Sequence, residues 1–229
     1  AYFSSTSGPS PSTDSYTLTV DSTTGGSVTE PGEGEYEYDE DETVELTATA
    51  DDGYEFAGWS GDEVDDADDA STSIVMDEDK SVTATFTAIS YTLTIASTEG
   101  GAVTTPGEGE FEYDYGTTVD LAAASEDGYE FAGWTGDVAD AGSAATMVVI
   151  DGNKTVTASF TATIYTLDIS SGSGGTVTVP GEGQYEYGAG EQVTITASPA
   201  QGYEFAGWSG DVADSNAATT TVTLNSDQS

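Results

Sequence analysis

The chain has no cysteine, no histidine and no arginine, and its only cationic side chains are Lys80 and Lys154. Absence of cysteine excludes disulfide staples, thiol chemistry and Cys-ligated zinc, and leaves the redox compartment open. Without His, Cys or Arg, the Ser-His and Cys-His nucleophilic devices and arginine clamps are closed off too. A carboxylate pair could still hydrolyse glycosides, but nothing singles out two among 43 acidic residues. No enzyme is expected. No run approaches the ~20 apolar residues of a membrane span. There is no charged-then-apolar leader in these residues, so any signal peptide is expected outside this stretch.

What is abundant is negative charge. A formal charge of −41 makes nucleic acid and anionic membrane poor partners, since both need a cationic surface. Self-repulsion on this scale opposes compaction in dilute buffer. Screening shortens to ~3 Å at 1 M salt, so a halophilic, high-salt setting or bound divalent cations would suit this chain, and either points to an extracellular or high-salt location.

The chain repeats itself. "GYEFAGW" stands at 53–59, 128–134 and 202–208, "PGEG" at 31–34, 106–109 and 180–183, and "YTL" at 16–18, 91–93 and 165–167. The tryptophans at 59, 134 and 208 are 75 and 74 residues apart. Such a period identifies tandem modules: 16–90, 91–164 and 165–229, preceded by an N-terminal segment at 1–15. Within a module the apolar period is two. Tyr16, Leu18 and Val20 alternate with Thr17 and Thr19, and Val82, Ala84 and Phe86 alternate with threonines. This is the pattern of half-buried strands, predicted at 16–20, 26–30, 35–39, 43–50, 54–60, 72–76 and 80–86. "TTGG" (23–26) and "EPGEG" (30–34) read as turns, and no segment reads as a long helix. The fold class is all-β, with a β-grasp-like sheet as one form of it, in three tandem modules forming an elongated array.

The order "YTLTV…GGSVT…PGEGEYEY…TVELTATADDGYEFAGWSGD…SIVMDEDKSVTATF" resembles the divergent InlB B-repeat family, whose members recur in large bacterial and archaeal surface proteins. The resemblance spans nearly all of each module. It implies a β-grasp-like fold and a surface-exposed repeat, and it implies no activity.

Candidate sites are few. The aromatics of "GYEFAGW" (Tyr54, Phe56, Trp59, Tyr129, Phe131, Trp134, Tyr203, Phe205 and Trp208) could stack on sugars. They are expected instead to be core, because a small module without disulfides needs large apolar side chains. Asp62 and Asp65, Asp137 and Asp140, and Asp211 and Asp214 follow the tryptophans in pairs. Hard cations take several oxygens at about 2.3–2.6 Å, so Ca²⁺ is the one ion these loops could gather; the plainer reading is turn chemistry. No cofactor is required by any motif. Lys80 and Lys154 are expected to be exposed turn lysines.

The third copy differs from the others at its end. "DEDKSVTATF" (77–86) and "DGNKTVTASF" (151–160) have their counterpart in "NSDQS" (225–229), with Gln228 at the lysine position and the counterpart of "VTATF" absent from these residues. At the other end, Ala1-Tyr2-Phe3 matches the tail of that strand ("ATF", "ASF"), followed by "SSTSGPSPSTDS" (4–15). Either this is a window on a longer repetitive polypeptide, or the N-terminal residues of one copy complete the third module of the next, as in donor-strand exchange. Both place a strand from outside 16–229 in module three. The residues expected at such a contact are Ala1, Tyr2 and Phe3 on the donor side and Thr221, Val222 and Leu224 on the acceptor side, with copies of the chain or adjoining repeats as partners. The expected role is therefore structural: an extracellular filament subunit, stalk or adhesin segment. The alternative is a glycan- or protein-binding adhesin module that does not polymerise.

Overall fold

The computed structural model describes residues 14–229, and Ala1, Tyr2 and Phe3 lie outside the described residues. Module one contains β1 (Ser15–Ser22), β2 (Gly26–Glu30), β3 (Gly34–Asp39), β4 (Thr43–Ala50), β5 (Tyr54–Gly61), β6 (Ser71–Val75) and β7 (Lys80–Ala88). All seven predicted strands are present within two residues of their predicted bounds, and no helix occurs among the described residues. They form two sheets, β3-β1-β7-β5 and β2-β4-β6. β7 lies between β1, to which it is parallel, and β5, to which it is antiparallel. Leu18, Val20, Val82, Ala84 and Trp59 of the first sheet and Val28, Val44, Leu46 and Ile74 of the second close one buried core.

The tryptophan strand does not alternate simply. Its register against β7 shifts between Phe56 and Gly58, so that Phe56 opposes Phe86 and Trp59 opposes Ala84. Residues three apart in a regular strand face opposite ways. The extra residue of the bulge turns both aromatics to the same face, as a two-against-one insertion must. Gly26 makes room for the outcome: a Cβ there would lie 2.5 Å from the Phe86 ring and 2.6 Å from Thr49 O.

Module two repeats this with β8 (Ser90–Ser97), β9 (Gly101–Thr105), β10 (Gly109–Asp114), β11 (Thr118–Ser125), β12 (Tyr129–Thr135), β13 (Ala145–Val149) and β14 (Lys154–Ala162), in sheets β10-β8-β14-β12 and β13-β11-β9. Val156 and Ala158 of β14 are wholly buried. The joins between modules are short. Strands run up to Ala88 and Ala162, resume at Ser90 and Ile164, and leave only Ile89 and Thr163 between. Two compact units are present, one holding module one with Tyr113–Gly116 and the other Thr92–Glu112 with Thr117–Ser229.

Module three contains β15 (Ile164–Ile169), β16 (Gly175–Val179), β17 (Gly183–Gly188), β18 (Gln192–Pro199) and β19 (Thr219–Thr223). Its second sheet, β16-β18-β19, is whole, but the first is reduced to β15-β17.

Because the closing-strand phenylalanine and a main-chain oxygen both crowd the glycine after each "TTGG" or "TEGG" turn, Gly101→Ala is expected to destabilise the chain by about 1–3 kcal/mol. A Cβ at Gly101 would sit 2.6 Å from Ala124 O, whereas one at Gly152 meets nothing within 4 Å. Thermal melts of Gly101→Ala against Gly152→Ala measure the difference, and equal melting temperatures would contradict the packing described.

Candidate functional site

The groove in module three is best understood from the strands that fill its equivalents. In module one β7 enters beside β1 in the register Leu18 to Lys80, Thr19 to Ser81 and Val20 to Val82. Asp79 Oδ1 accepts a hydrogen bond from Thr17 N at 2.8 Å just ahead of that register. Asn153 Oδ1 accepts from Thr92 N at 2.9 Å at the same place in module two. Asp227 Oδ1 accepts from Thr166 N at 2.8 Å in module three. There the chain reaches the same slot: Gln228 bridges Leu167 in parallel, Gln228 N donates to Thr166 O at 2.8 Å, and Asp168 N donates to Gln228 O at 2.9 Å. Among the described residues the rest of the slot is a cavity of about 340 Å³ lined by Leu167, Ile169, Val177, Phe205, Trp208 and Val222 among others.

The slot's two neighbours differ: β15 remains a strand paired with β17, and the tryptophan segment does not form one. β5 and β12 are strands because β7 and β14 pair with them, and their counterpart at 203–209 is not a strand. Trp208 keeps its bonds on the loop side, N to Ser215 O at 2.8 Å and Nε1 to Ala217 O at 3.0 Å. It also keeps Phe205, with ring centroids 5.6 Å apart. What is missing is the third ring. Phe56 meets Phe86 edge-on at 6.0 Å and Phe131 meets Phe160 at 5.9 Å, with no described equivalent for Phe205. The expectation that all nine "GYEFAGW" aromatics are core therefore needs correction. Trp59 and Trp134 are buried, Phe56 is half-buried against the core, and Tyr203 is 60 % exposed. In modules one and two the corresponding segment is paired with β7 or β14.

The residues predicted on the acceptor side divide. Val222 lines the groove. Leu224 is fully buried and bonded through its main chain to Gly190 and Glu191. Thr221 pairs with Thr194 in the other sheet, and its carbonyl accepts from Ala213 N. The groove walls that the sequence reading did not name, Leu167, Ile169, Phe205 and Trp208, occupy the places of Leu18, Val20, Phe56 and Trp59. Aligning the copies would have found them. One difference in the wall is specific to module three. Thr23 and Thr98 each accept, through Oγ1, the main-chain N–H of Phe86 or Phe160, and Gly172 stands in their place.

Three of the six predicted aspartates accept main-chain hydrogen bonds, Asp140 and Asp214 within their own turns and Asp62 from the closing strand. Asp62 Oδ2 accepts from Ser81 N at 2.7 Å. Asp140 Oδ1 accepts from Gly142 N, and Asp214 Oδ1 from Asn216 N, each at 2.9 Å. In module one the counterpart of Asp140 and Asp214 is Asp66, not Asp65. Asp66, Asp140 and Asp214 each donate their N–H to the threonine hydroxyl of Thr72, Thr146 or Thr220, and Glu63 is the residue inserted ahead of them. Among the described residues no group of three or more acidic side chains is placed to hold a metal ion.

The lysines are not exposed, as they were expected to be. Their side chains are only 12 % and 10 % accessible, Lys80 pairing with Asp77 at 2.7 Å and Lys154 with Asp137 and Asp151. In so anionic a chain the two cations are drawn against carboxylates while their stems lie along the strand. The hydrogen bond from Lys80 holds the Asp77 carboxyl below its usual value. The bonds to Asp137 and then Asp151 raise the Lys154 ammonium.

The rim of the groove is tied by a carboxylate. Glu182 accepts from Ser171 Oγ and, at 3.3 Å, from Val177 N, as Glu108 accepts from Ser97 and Val103 N in module two. The serine bond first, and the main-chain bond second, lower both carboxyls. A carboxyl lowered on folding contributes stability that is present above its unfolded value, about 4.3 for glutamate, and lost as pH falls through the folded value. The melting-temperature advantage of the native chain over Glu108→Gln/Glu182→Gln should therefore be full at pH 6–7, begin to shrink near the unfolded value of about 4.3 and vanish only once the pH lies below the folded value. Melts across that range check it; an advantage that grows on acidification would refute the assignment.

The model of the divergent InlB B-repeat domain matches residues 16–90, 91–164 and 165–229. No curated protein matches the chain. Among solved structures, the Bacillus anthracis TIE protein is similar at 9 % identity with a TM-score of 0.46, over 93 % of this chain. The chain spans about half of that protein, 48 % of its length.

Proposed function

Because the chain belongs to the divergent InlB B-repeat family, we propose that it serves as a surface repeat protein whose third module is completed in trans, building a head-to-tail filament or stalk. Three tandem B-repeat modules account for residues 16–229, and the family is typically surface-associated. No helix among the described residues is long and apolar enough to cross a membrane.

One observation carries the reading: the slot that β7 and β14 fill in their own modules is an open apolar groove in module three, already entered in register by Gln228. An unpaired strand edge beside apolar walls is a template for another strand, and strand addition is a recurrent mode of association. Burying one valine side chain is worth about 1.5–3 kcal/mol, and each ladder hydrogen bond adds about 0.5–1.5 kcal/mol net. The donor carries small and aromatic residues at alternate positions, as Ala84 and Phe86 or Ala158 and Phe160 do. Ala1 and Phe3 of a second copy have that spacing. Residues 1–13 carry no charged side chain in a chain of net charge −41, so this segment brings no carboxylate to a groove bordered by Asp168, Glu204 and Asp211. The contact joins different surfaces of successive copies and does not close on itself, so it propagates.

The test is to complete the module in cis. Appending Val-Thr-Ala-Thr-Phe-Thr-Ala after Ser229 should move the Trp208 emission to the blue and leave a monomer by sedimentation, while the native chain forms concentration-dependent oligomers. An extended chain that oligomerises like the native one, or a native chain that stays monomeric at millimolar concentration, would overturn the proposal.

A further inference from the structure

The outer side of the second sheet has the same backbone in all three modules, and in module two its chemistry is different. β9, β11 and β13 turn Val103, Val119, Leu121 and Val148 inward, where all four are buried. Strand residues alternate between faces, so Ala102, Ala122, Ala124, Ala145, Met147 and Val149 are directed outward. Hydroxyl residues hold most of these places elsewhere. Ala102, Ala122, Ala124, Ala145 and Met147 correspond to Ser27, Thr47, Thr49, Ser71 and Ser73 in module one. In module three the counterparts are Thr176, Thr196, Ser198, Thr219 and Thr221. Met147 is 44 % and Val149 48 % exposed, and Ala102, Ala124 and Ala145 are exposed with them.

Carboxylates border this apolar face. Asp120 stands opposite Met147 in the register of β11 and β13. Past β13, a dent of about 160 Å³ shares Met147 and Val149 with the face and is lined also by Val138, Ala139, Asp137, Asp151 and Lys154. One ammonium there meets two carboxylates, so the border keeps a negative excess. Single exposed apolar side chains need no explanation, whereas a cluster of them marks a surface for association.

The setting specifies the partner. A second copy is a poor one, because it would bring the same aspartates and a further charge of −41 into contact. A partner that is apolar on one side and cationic at its flanks matches both features. The dimensions suit one helix. Strands ~4.8 Å apart put the outer two of three about 10 Å apart, the width of a helix. The outer strands β9 and β13 have 5 residues each, about 17 Å or three helical turns. We propose that module two docks a basic amphipathic helix of another protein. Its apolar stripe lies on Met147, Val149 and the alanines, and its Lys or Arg side chains reach Asp120 and the border formed by Asp137 and Asp151. This is independent of the head-to-tail reading, since all seven strands of module two are present and none of this surface belongs to the groove.

The chain's two methionines provide the probe: Met147 lies in the face, whereas Met76 is fully buried in the core of module one. With both methyls labelled for NMR, the native chain is titrated with a helical peptide of leucine and lysine about three turns long, at about 0.15 M ionic strength. The Met147 methyl should shift saturably while the Met76 methyl stays in place. Ala122→Thr/Ala124→Thr, which brings in the hydroxyls of the other modules, should keep the melting temperature. It should weaken peptide binding about tenfold or more, because the helix would then cover hydroxyls without partners. A peptide with glutamate in place of lysine should not bind. The proposal is overturned if Met147 is unmoved up to millimolar peptide, or if glutamine in place of leucine gives the same shift. It is overturned too if the folded Ala122→Thr/Ala124→Thr chain binds as the native one does. A Met147 shift produced by raising the concentration of the native chain alone, or by phosphatidylcholine vesicles and not by peptide, would assign the face to a second copy or a lipid surface and refute the helix.

Discussion

Everything in a module depends on its last strand lying between its first and its fifth. β7 satisfies β1 on one side and β5 on the other, and its alternate residues Val82 and Ala84 are the fully buried contribution of that position to the core. No local device substitutes for it, because β1 and β7 are separated by the whole module and their pairing is parallel. The third module shows what such centrality means. Among its described residues neither β15 nor the tryptophan segment has a closing-strand partner of that kind, and the segment is not a strand although its sequence is the same seven residues found in the other copies. Identical residues take a different structure because strand formation here follows from the neighbour, as expected where β-propensity reports the surroundings of a pleated surface.

Much of this could be read in the residues beforehand. The three tandem repeats, all seven strands of module one and the absence of helices among the described residues follow from period-two patterning and self-alignment. Three features did not. The parallel pairing of first and last strands is a long-range fact that no local pattern encodes. The bulge at Ala57 was hidden because a three-residue spacing between Phe56 and Trp59 looks out of phase for a strand until an extra residue is allowed. The environment of Lys80 and Lys154 was misjudged because a turn position suggests exposure, while the field of so many carboxylates and the apolar stem beneath draw the side chain inward.

The acidic composition and the assembly reading bear on one another. Carboxylates are spread over strand faces and loops, where several serve as turn acceptors, whereas the closing strands past their lysines, 81–88 and 155–162, carry no charge. A strand that must enter a core between two others cannot bring carboxylates with it without leaving them desolvated. The charge is therefore partitioned, with anionic surface outside and a neutral insert at the centre of modules one and two, and residues 1–13 share the neutrality of the insert.

The parallel pairing of first and last strands also determines how a module carries load. Tension along the polypeptide pulls the start of β1 and the end of β7 in opposite directions while the two lie side by side. Their ladder is then sheared as a block, every bond resisting together, rather than peeled open one rung at a time. A polymer of such units would behave as a tether whose breaking force exceeds what its equilibrium stability suggests.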